Sequence, residues 1–507
     1  MGIRAGWQGG TYDRRQRPAG PAEVPARDRR LGHHPPRTLL LACVAALSLC
    51  ACAARGSRAG CGTPHAAARD AGRAHAPRAG STITLGEALV VPGAATGKTY
   101  YVATFGSDRN SGSSPQAPFK SIQHAIETVG PGGTIKIMGG TYRGGIVIDH
   151  PGTSRAWITM EPYGNEKVVL DGRGTTDDVF FYNNTAAPTY WVVKGLTIRH
   201  ARGYTVQISV PDVKLIDNDI SESHNDLVKL VQQAHNIVIW GNDIHDNDAR
   251  PGANAQGVDM VGSQNVLVAH NTVSDIASIG LYCKGNAGDI TFEDNDLNNI
   301  YSRGIMLGES TGLEFLLPGK TYESYNSIIK NNVITNDQSA CLAEASSYNA
   351  QIYDNSCYNT AISRHGAIMI SNESKLHQAG KDVYVRNNVI YDLTDRPMEV
   401  IAPQAMAAYC TLHIDHNMYY DPKGVTFEWD DKGIYGMHFA AWQRTTGFDR
   451  HSVVANPLFA NFTSLTLKAA SPAVGAGVAL PDVRHDFNGL ARPAQGSCNE
   501  GAYQSIQ

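Results

Sequence analysis

The sequence lacks an apolar run long enough to cross a bilayer comfortably. Its one sustained apolar run covers residues 38–52, whereas a membrane-spanning helix needs about 20 apolar residues. Beyond this run there is no CxxC pair and no Cys/His pattern with metal-ligand spacing, which argues against a zinc site. Charged residues make up only 18% of the chain and hydrophobic residues 42%, a composition that excludes general disorder and indicates a globular protein.

The basic residues are concentrated at the start of the chain. Residues 1–80 contain 13 Arg, no Lys and four acidic residues, a net charge of +9, and the remainder carries −13. We interpret the basic part as a leader and not as a nucleic-acid surface, because the apolar run that follows it is typical of a signal-peptide core. We expect a monomer that binds no nucleic acid.

The apolar run ends in the letters LCAC at positions 49–52, which resemble a bacterial lipobox. This predicts a lipid anchor on Cys52, and plain secretion after cleavage in the Ala-rich segment is the alternative. Both predict export to the periplasm, the outer membrane or the cell surface. Residues 53–95 are rich in Ala, Arg, Gly and Pro without apolar periodicity, and we expect them to form a flexible tether.

Five cysteines lie in the body of the chain, at 283, 341, 357, 410 and 498. Export would permit disulfides, and Cys341 with Cys357 or Cys410 with Cys498 are conceivable pairs. An odd number leaves one cysteine unpaired, and the spacing follows no small disulfide framework. We therefore interpret the five as buried free thiols.

One motif repeats through the body: an apolar residue, any residue, Asn, any residue, an apolar residue. The intervals between successive Asn residues are 24, 29, 24, 37, 23, 33 and 29 residues, so a floor near 23 is lengthened by insertions. This is typical of a solenoid with fixed coils and variable loops. Stacked about 4.8 Å apart, the amides of such Asn residues can hydrogen-bond to one another. The eight repeats predict an all-β parallel β-helix of about ten coils with an Asn ladder at Asn218, Asn242, Asn271, Asn295, Asn332, Asn355, Asn388 and Asn417.

A single amphipathic helix is predicted before these coils. Phe119, Ile122, Ala125, Ile126 and Val129 recur at helical spacing between short β segments. A helix over residues 119–129 would cap the open end of the stacked sheets, which otherwise invites aggregation.

A second strand in each coil presents polar side chains in register. The segments GVDMV, GLYCK and GIMLG align with apolar residues at their second and fourth places, so strand alternation sends the others outward. Lys229, Asp259, Tyr282 and Met306 are predicted to form one outward column, with Lys284 two residues along the strand from Tyr282. Arg303 and His365 lie just before their strands, on the same rim.

Three parts of the chain carry a family resemblance. The opening YYVATFGSD…APFKSIQHAI…GGTIKIMGGTYRG, the Asn-bearing coils and the closing SPAVGAGVALPDVRHDFNGLARP…NEGAYQ resemble right-handed parallel β-helix proteins found among bacterial polysaccharide lyases. The segments HNDLVKL, QGVDMVG, GLYCKGNAGDITFEDNDL and RGIMLGES look most like polysaccharide lyase family 31 and more distantly like family 9. The resemblance implies cleavage of uronic-acid polymers such as alginate or glucuronan by β-elimination.

The resemblance to family 31 implies a Tyr and a Lys at the catalytic centre. Lys284 or Lys229 matches the Lys, and Tyr282 is a candidate for the Tyr. No Tyr lies between Tyr204 and Tyr282, and His245 is the nearest titratable residue one coil before Lys284. The resemblance to family 9 would instead imply a Lys base beside a calcium ion, with Lys229 near Asp226 and Asp259. The sequence shows no dense acidic cluster, so no cofactor is required and Ca²⁺ stays an alternative.

These side chains suit the removal of a proton α to a uronate carboxylate. The reaction needs a cation, a base and a proton donor. Lys284, Lys229 and Arg303 could hold the carboxylate, while Tyr282, a Lys or His245 could take the proton. Asp259 and His365 are further candidates for substrate contact, and an acidic polysaccharide is the expected partner. The −13 charge of the body repels a polyanion at long range, so a local basic groove is needed.

Two other functions are considered. A glycoside hydrolase needs two carboxylates at a defined separation; Asp226 with Asp259, or Asp259 with Glu344, could supply them, whereas Asp177 and Asp178 lie outside the aligned columns. A surface protein that binds glycans without cleaving them would need only the outward face.

Overall fold

The computed structural model describes residues 80–181, 189–247, 249–309, 311–371, 376, 380–401 and 411–504. All of these belong to one compact unit. Residues 1–79, including Cys52 and the lipobox-like motif, and Cys410 lie outside the described residues. No helix in the described part is long and apolar enough to span a membrane.

Three long sheets, named A, B and C, wind around a common interior, and each coil contributes in turn to A, B and C. In sheets A and B every pairing is parallel. Sheet A consists of Thr99–Val102, Thr134–Ile137, Ile158–Pro162, Trp191–Lys194, Val213–Ile216, His235–Trp240, Gln264–Ala269, Ala287–Glu293, Ser324–Tyr325 with Ile328–Lys330, Ser347–Tyr353, Lys381–Arg386 and Leu412–Asp415.

Sheet B contains the strands that follow the Asn-bearing turns. They are Gly140–Arg143, Val168–Asp171, Thr197–Arg199, Asp219–Ser221, Asp243–His245, Thr272–Ile276, Asp296–Ile300, Val333–Thr335, Ser356–Tyr358, Val389–Tyr391, Met418–Tyr420 and Val453–Val454.

Sheet C contains the strands predicted to carry the polar column. They are Ile146–Ile148, Val179–Phe181, Val206–Ile208, Val228–Leu230, Val258–Val261, Leu281–Lys284, Ile305–Gly308, Leu342–Ala345, Ile368–Ser371, Glu399–Ile401, Thr426–Trp429 and, antiparallel at the end, Ile434–His438. The sheets of the described part thus contain eleven or twelve coils, slightly more than the ten predicted. A separate antiparallel pair joins Gly477–Val478 to Ser497–Cys498.

The predicted Asn ladder is confirmed at all eight positions. The side-chain Nδ2 of Asn271 donates to Oδ1 of Asn295 at 2.9 Å, and its backbone N–H donates to the same oxygen at 3.0 Å. The same pattern joins every other neighbouring pair of the series. Ser452 ends the ladder by accepting the backbone N–H of Asn417 at 2.8 Å. Each ladder amide is buried, so its hydrogen bonds replace water that the interior excludes.

The turn from sheet A to sheet B has a second regular feature. The residue before every ladder Asn has a positive φ, and Asp, Asn, His and Gly adopt this left-handed conformation most readily. These residues stack into a polar column, called the corner column, formed by Asp217, Gly241, His270, Asp294, Asn331, Asp354, Asn387 and His416.

The N-terminal end is capped as predicted, but the helix is shorter than expected. Helix α2, Ile122–Thr128, begins after its N-cap Ser121, whose hydroxyl accepts the backbone N–H of His124. Phe119 and Val129 flank the helix and are also buried. The cap therefore covers the interior of the first coils, which is lined by one continuous apolar cluster.

The described part of the predicted tether is ordered, which corrects that prediction. Residues 80–95 run along the outer face of sheet A, where α1, Leu85–Ala88, forms a single turn. Lys214 donates from Nζ to the backbone carbonyls of Glu87, Ala88 and Val90 at 3.0, 2.8 and 2.7 Å. Ala88 packs with Val238 and Leu267. The segment is held because its carbonyls accept hydrogen bonds from a buried Lys and because it covers apolar side chains, which composition alone does not reveal.

The C-terminal segment, residues 477–504, folds back over the corner column. It follows α3, Phe439–Thr446. Asn387 exchanges two hydrogen bonds with the backbone of Val478, at 2.8 and 3.0 Å. Further along, Arg492 pairs with Asp354 at 3.1 Å and donates to Asn331 at 3.1 Å. The segment therefore spans several coils against the direction in which they stack.

The cysteines only partly follow the prediction. Cys341 and Cys357 form a disulfide, so the expectation that all five are free thiols is wrong for this pair, which was one of the two conceivable pairs. Cys283 and Cys498 are free and buried, so a bond to Cys498 is not formed.

Candidate active site on sheet C

The predicted outward column is present in the register expected from the sequence. Lys229 pairs with Asp259, Asp259 with Tyr282, and Tyr282 with Met306, on four adjacent strands of sheet C. Their inward neighbours, such as Met260 and Cys283, belong to the core. We call the polar part of this face the sheet C ridge, which consists of Tyr204, Asp226, Lys229, Asp259, Tyr282, Lys284, Arg303 and Glu309.

Two acidic side chains hold Lys229. Its Nζ contacts Oδ2 of Asp259 and lies 3.2 Å from Oδ2 of Asp226. Burial opposes the charged Lys, but the two carboxylates outweigh it and raise the pKa of Lys229 further above its usual range. Burial, followed by the nearby Asp259 charge, raises the pKa of Asp226 to about 7. Lys229 is thus a charged, fixed group, poorly suited to accept a proton.

Lys284 is the less constrained ammonium of the ridge. Its Nζ lies 4.0 Å from Oδ2 of Asp259 and 4.5 Å from the centroid of the Tyr282 ring. Its side chain is 16% exposed, so the ammonium reaches solvent beside one carboxylate and one aromatic face. Because Asp259 already binds Lys229, Lys284 retains hydrogen-bonding capacity toward a ligand.

Tyr282 is buried, contrary to the expectation that it faces solvent. It is 2% exposed and packs outside the sheet with Met306, Ala343 and Met369. Its hydroxyl donates to Oε2 of Glu309 at 3.1 Å. Burial, together with the Glu309 charge, raises the pKa of Tyr282 well above its usual value, which makes it unsuitable as a base at neutral pH.

Glu309 joins this tyrosine to the predicted rim arginine. Its Oε1 lies 3.1 Å from Nη1 of Arg303, so one carboxylate binds a hydroxyl and a guanidinium at once. The backbone φ of Glu309 is +128°, a strained value for a residue with a Cβ and one that occurs often at functional sites. Glu309 carries no periodic signal in the sequence, because it follows the strand Ile305–Gly308 instead of lying in it.

Tyr204 is a second residue that the sequence analysis missed. Its ring centroid lies 5.9 Å from Nζ of Lys229, and burial raises its pKa. Its position could have been inferred, because Val206 pairs with Val228 and Tyr204 precedes its strand by the same two residues as Asp226. It is half-buried and closes the end of the ridge opposite Arg303.

The structure does not bring the two candidate histidines into the ridge. His245 lies in sheet B, where Nε2 is 3.2 Å from Asp219 and Nδ1 is 2.8 Å from Asp246. These carboxylates, Asp219 first, raise the pKa of His245 to about 9. The expectation that His245 lies at the catalytic centre is therefore wrong for this fold. His365 hydrogen-bonds through Nδ1 to Ser339 at 2.7 Å, on the rim but beyond Arg303.

A calcium ion does not fit between the two carboxylates that the family 9 resemblance would use. Asp226 and Asp259 already bind the ammonium of Lys229, and Asp226 also accepts the backbone N–H of Gln256 at 3.0 Å. A divalent cation there would have to displace Lys229. The ammonium of Lys229 thus occupies the position between Asp226 and Asp259 that the family 9 resemblance would give to a calcium ion.

The ridge is elongated and nearly neutral. It extends over five coils, roughly 19 Å at 4.8 Å per coil, a length that accommodates several sugar rings. Three cations, Lys229, Lys284 and Arg303, face three acids, Asp226, Asp259 and Glu309. The basic groove required for attraction of a dense polyanion is therefore absent among the described ridge residues.

Comparison with known families agrees with the fold. Residues 100–275 match the family described as Pel9A-like, right handed beta helix region, which confirms the predicted right-handed β-helix. A Bacillus subtilis (strain 168) protein, the uncharacterized protein YwoF, is 37% identical over 82 residues. That match covers 16% of this chain and 17% of YwoF, so the chain spans less than a fifth of that relative's length.

Two solved structures are similar to this chain. The complex of XylC with xylose has a TM-score of 0.50 at 11% identity and covers 81% of this chain and 98% of its own. The crystal structure of pectate lyase Pel9A has a TM-score of 0.48 at 15% identity and covers 80% of this chain and 96% of its own. At 11% identity the likeness to the XylC structure concerns the fold alone.

Proposed function

We propose that this protein is a polysaccharide lyase that cleaves a uronic-acid-containing polysaccharide, of the alginate or glucuronan type, by β-elimination on the sheet C ridge. The observation that carries the proposal is the pair of ammonium groups, Lys229 and Lys284, arranged around one Asp259 oxygen. An elongated outward face with one partly exposed cation suits a polymer that presents a carboxylate at the cleavage point. The family match supports a polysaccharide-active β-helix and leaves the resemblance to family 31 as part of this proposal.

In this mechanism Lys284 is the residue that meets the reacting sugar. As a neutral amine, Lys284 accepts the α-proton; the ammonium formed in this way neutralises the developing enolate and passes the proton to the glycosidic oxygen as its bond to the sugar breaks. Lys229 is a positioning residue, since it holds Asp259 and through it the place of Lys284. Arg303 lies one strand further, fixed by Glu309 at 3.1 Å, where a neighbouring sugar would bind.

The near-neutral ridge refines the substrate class. A single ammonium with spare hydrogen-bonding capacity suits one uronate at the cleavage point better than a continuous row of carboxylates. Within this class we therefore propose that polymers in which uronates alternate with neutral sugars are cleaved faster than uronate homopolymers such as alginate and glucuronan, which are cleaved by the same elimination. Activity on either is read as ultraviolet absorbance of the unsaturated product over a panel of alginate, glucuronan, pectate and glycosaminoglycans, with and without a chelator.

A glycoside hydrolase is the second candidate, and one observation favours it. Asp226 and Asp259 approach the same Lys229 ammonium, and burial raises the pKa of Asp226 to about 7, as a general acid requires. The other pair considered from the sequence is excluded, since Glu344 points into the core. New reducing ends without ultraviolet absorbance would identify a hydrolase, and binding without either product would identify a glycan-binding protein.

We also propose that the protein is exported, with Cys52 as lipid anchor. The Cys341–Cys357 disulfide supports export, because such bonds persist in oxidising compartments. A Cys52→Ser variant should leave the membrane fraction and appear in the soluble exported fraction. Unchanged membrane attachment of Cys52→Ser would contradict lipidation.

A further inference from the structure

Two buried carboxylates lie where the C-terminal segment closes over the corner column. Glu293 ends the strand Ala287–Glu293 of sheet A, and Asp294 follows it at the corner. Their side chains are 4% and 0% exposed. His485 of the C-terminal segment places Nε2 3.2 Å from Oε1 of Glu293. His270, one coil earlier in the corner column, places Nε2 3.5 Å from Oδ2 of Asp294.

The acceptor atoms of this cluster are incompletely satisfied. Neither oxygen of Asp294 accepts a hydrogen bond of good geometry within the described residues, and neither does Oε1 of Glu293. Lys330 forms an ion pair with that Glu293 oxygen at 2.8 Å. One ammonium therefore faces two buried carboxylates, and a metal ion bound by Glu293 has to take its other oxygen or displace Lys330 from Oε1. Such burial is costly unless a further cation is present.

The orientation of His485 indicates what that cation is. Its Nδ1 lies 3.1 Å from the backbone carbonyl oxygen of Asp486, so Nδ1 carries the proton and donates it there. In that neutral tautomer the lone pair of Nε2 points at Oε1 of Glu293. Two lone pairs repel each other at this distance, so a proton or a metal ion has to lie between the two atoms. An imidazole whose Nδ1–H is held by a carbonyl is the usual arrangement of a metal-binding histidine.

We propose that His485, His270, Glu293 and Asp294 bind one divalent ion of the zinc class, which fastens the C-terminal segment to the β-helix. Two imidazoles and two carboxylates are donors that Zn²⁺ accepts, whereas Ca²⁺ and Mg²⁺ select oxygen ligands. The donor atoms of Glu293, Asp294 and His485 lie within 4.8 Å of one another. Tetrahedral zinc places its ligand atoms roughly 3.4 Å apart. His270 contacts Asp294 but lies outside that group of three, so its imidazole has to move toward Glu293 and His485 to complete the site.

A second cluster of similar composition provides an internal contrast. Oδ1 of Asp415 accepts the backbone N–H groups of His416 and His451 at 3.0 and 2.7 Å, and its Oδ2 binds Nδ1 of His451 at 2.7 Å. Hydrogen bonds therefore already satisfy this carboxylate, and His451 is largely exposed. The cluster of Asp415, His416 and His451 therefore serves as the control for non-specific binding to surface histidines.

The test is a titration of the full chain, stripped with a chelator, with Zn²⁺ by calorimetry and with Co²⁺ by visible absorption, which reports tetrahedral coordination. We expect one ion per chain, not displaced by excess Ca²⁺. His485→Gln and His270→Gln should each weaken binding at least about a hundredfold, more than loss of an outer-shell partner costs. His451→Gln should bind like the wild type. Zinc should also slow proteolysis of the C-terminal segment in the wild type.

Two results would overturn the proposal. A stripped wild-type chain that binds no zinc would show that the cluster is an ion-pair network with a protonated His485. Zinc bound equally by the wild type, His485→Gln and His270→Gln would place the ion elsewhere. Circular dichroism checks each variant for folding. His270 lies in the coils and His485 in the C-terminal segment, so a folding defect in one of these variants leaves the other as the test. Asp294→Asn keeps the side-chain size and serves as a third variant that removes a ligand.

Discussion

Lys229 and Lys284 approach the same oxygen, Oδ2 of Asp259, from the two coils that flank the coil of Asp259. They do so unequally, because Lys229 is in contact with Asp259 and also binds Asp226 at 3.2 Å, whereas Lys284 stands 4.0 Å away. The carboxylate therefore fixes one ammonium and leaves the other available. This inequality is the basis for proposing different roles for two residues that the sequence could not distinguish.

The first prediction concerns Lys284. If Lys284 acts on the reacting sugar, Lys284→Ala should lower kcat at least about a hundredfold on the true substrate, with an unchanged circular dichroism spectrum. Lys284→Arg separates the two parts of the role, since a guanidinium neutralises a carboxylate but cannot take the proton. Full activity of Lys284→Arg would restrict the residue to charge neutralisation.

The matched control is an exposed Lys far from the ridge. Lys120 lies beside the N-terminal cap, exposed to solvent, and Lys120→Ala should leave kcat and KM unchanged. Near-normal activity of Lys284→Ala would exclude this face as the active site, and the insertion of residues 309–326 would then be the next region to test.

The second prediction concerns Glu344, which points inward between Leu307 and Ile370 on adjacent strands. Burial raises the pKa of Glu344 to about 8. Between about pH 5 and 8 the folded state thus keeps a proton that the unfolded state has lost, so the free energy of unfolding falls as pH rises. Glu344→Gln should reduce this fall by an amount on the order of 3 kcal/mol, measured by urea unfolding at several pH values.

Exposed Glu127 in α2 provides the comparison for that measurement. Glu127→Gln should leave the pH dependence of unfolding unchanged. An identical slope in Glu344→Gln and the wild type would show that the buried carboxyl is not protonated in the folded state.

The third prediction concerns the Asn ladder. Oδ1 of Asn295 accepts two N–H groups of Asn271, and its Nδ2 donates to Asn332 and to the carbonyl of Val268. Asn295→Ala leaves the buried backbone N–H of Asn271 without an acceptor and removes the donor that serves Asn332 and the carbonyl of Val268, so it should lower the free energy of unfolding by roughly 3 kcal/mol. Asn298→Ala, which removes an exposed Asn of the same coil, should cost under about 1 kcal/mol. Equal losses would refute a special contribution of the ladder.

The fourth prediction concerns the disulfide. It joins Cys341, just before a sheet C strand, to Cys357 in sheet B, with a sequence separation of 16 residues. A loop of that length stabilises the fold by about 3 kcal/mol, so the Cys341→Ala, Cys357→Ala double variant should unfold at lower denaturant concentration. Reductant should lower the wild-type midpoint and leave that of the double variant unchanged. A reductant-insensitive wild type would mean that the bond is not formed.

The repeat and its register could be predicted because they follow from local periodicity. Every ladder Asn, from Asn218 to Asn417, and every pairing in the polar column is where the spacing places it. The course of residues 80–95 could not be predicted, because a low-complexity segment reveals nothing about the surface that it covers. Lys214 and the apolar patch around Val238 hold it, and both lie more than a hundred residues away.

The candidate site was predicted less completely for a related reason. Strand alternation states on which side of sheet C the Tyr282 side chain lies, but not that Met306 and Met369 bury it there. Glu309 was missed because it follows its strand with a strained backbone, where no period applies. His245 was expected on the wrong face because its strand, Asp243–His245, belongs to sheet B and not to sheet C.

The return of the C-terminal segment along the corner column changes how this solenoid can come apart. Stacked repeats ordinarily fray from their ends, one unit after another, because each contacts only its neighbours. Here Arg492 is tied to Asp354 and His485 to Glu293, so the last residues of the chain brace units in its middle. The coils between Glu293 and the C-terminal segment cannot peel away one by one while those ties hold. We therefore expect these coils to open together with the C-terminal segment instead of unravelling progressively from the end.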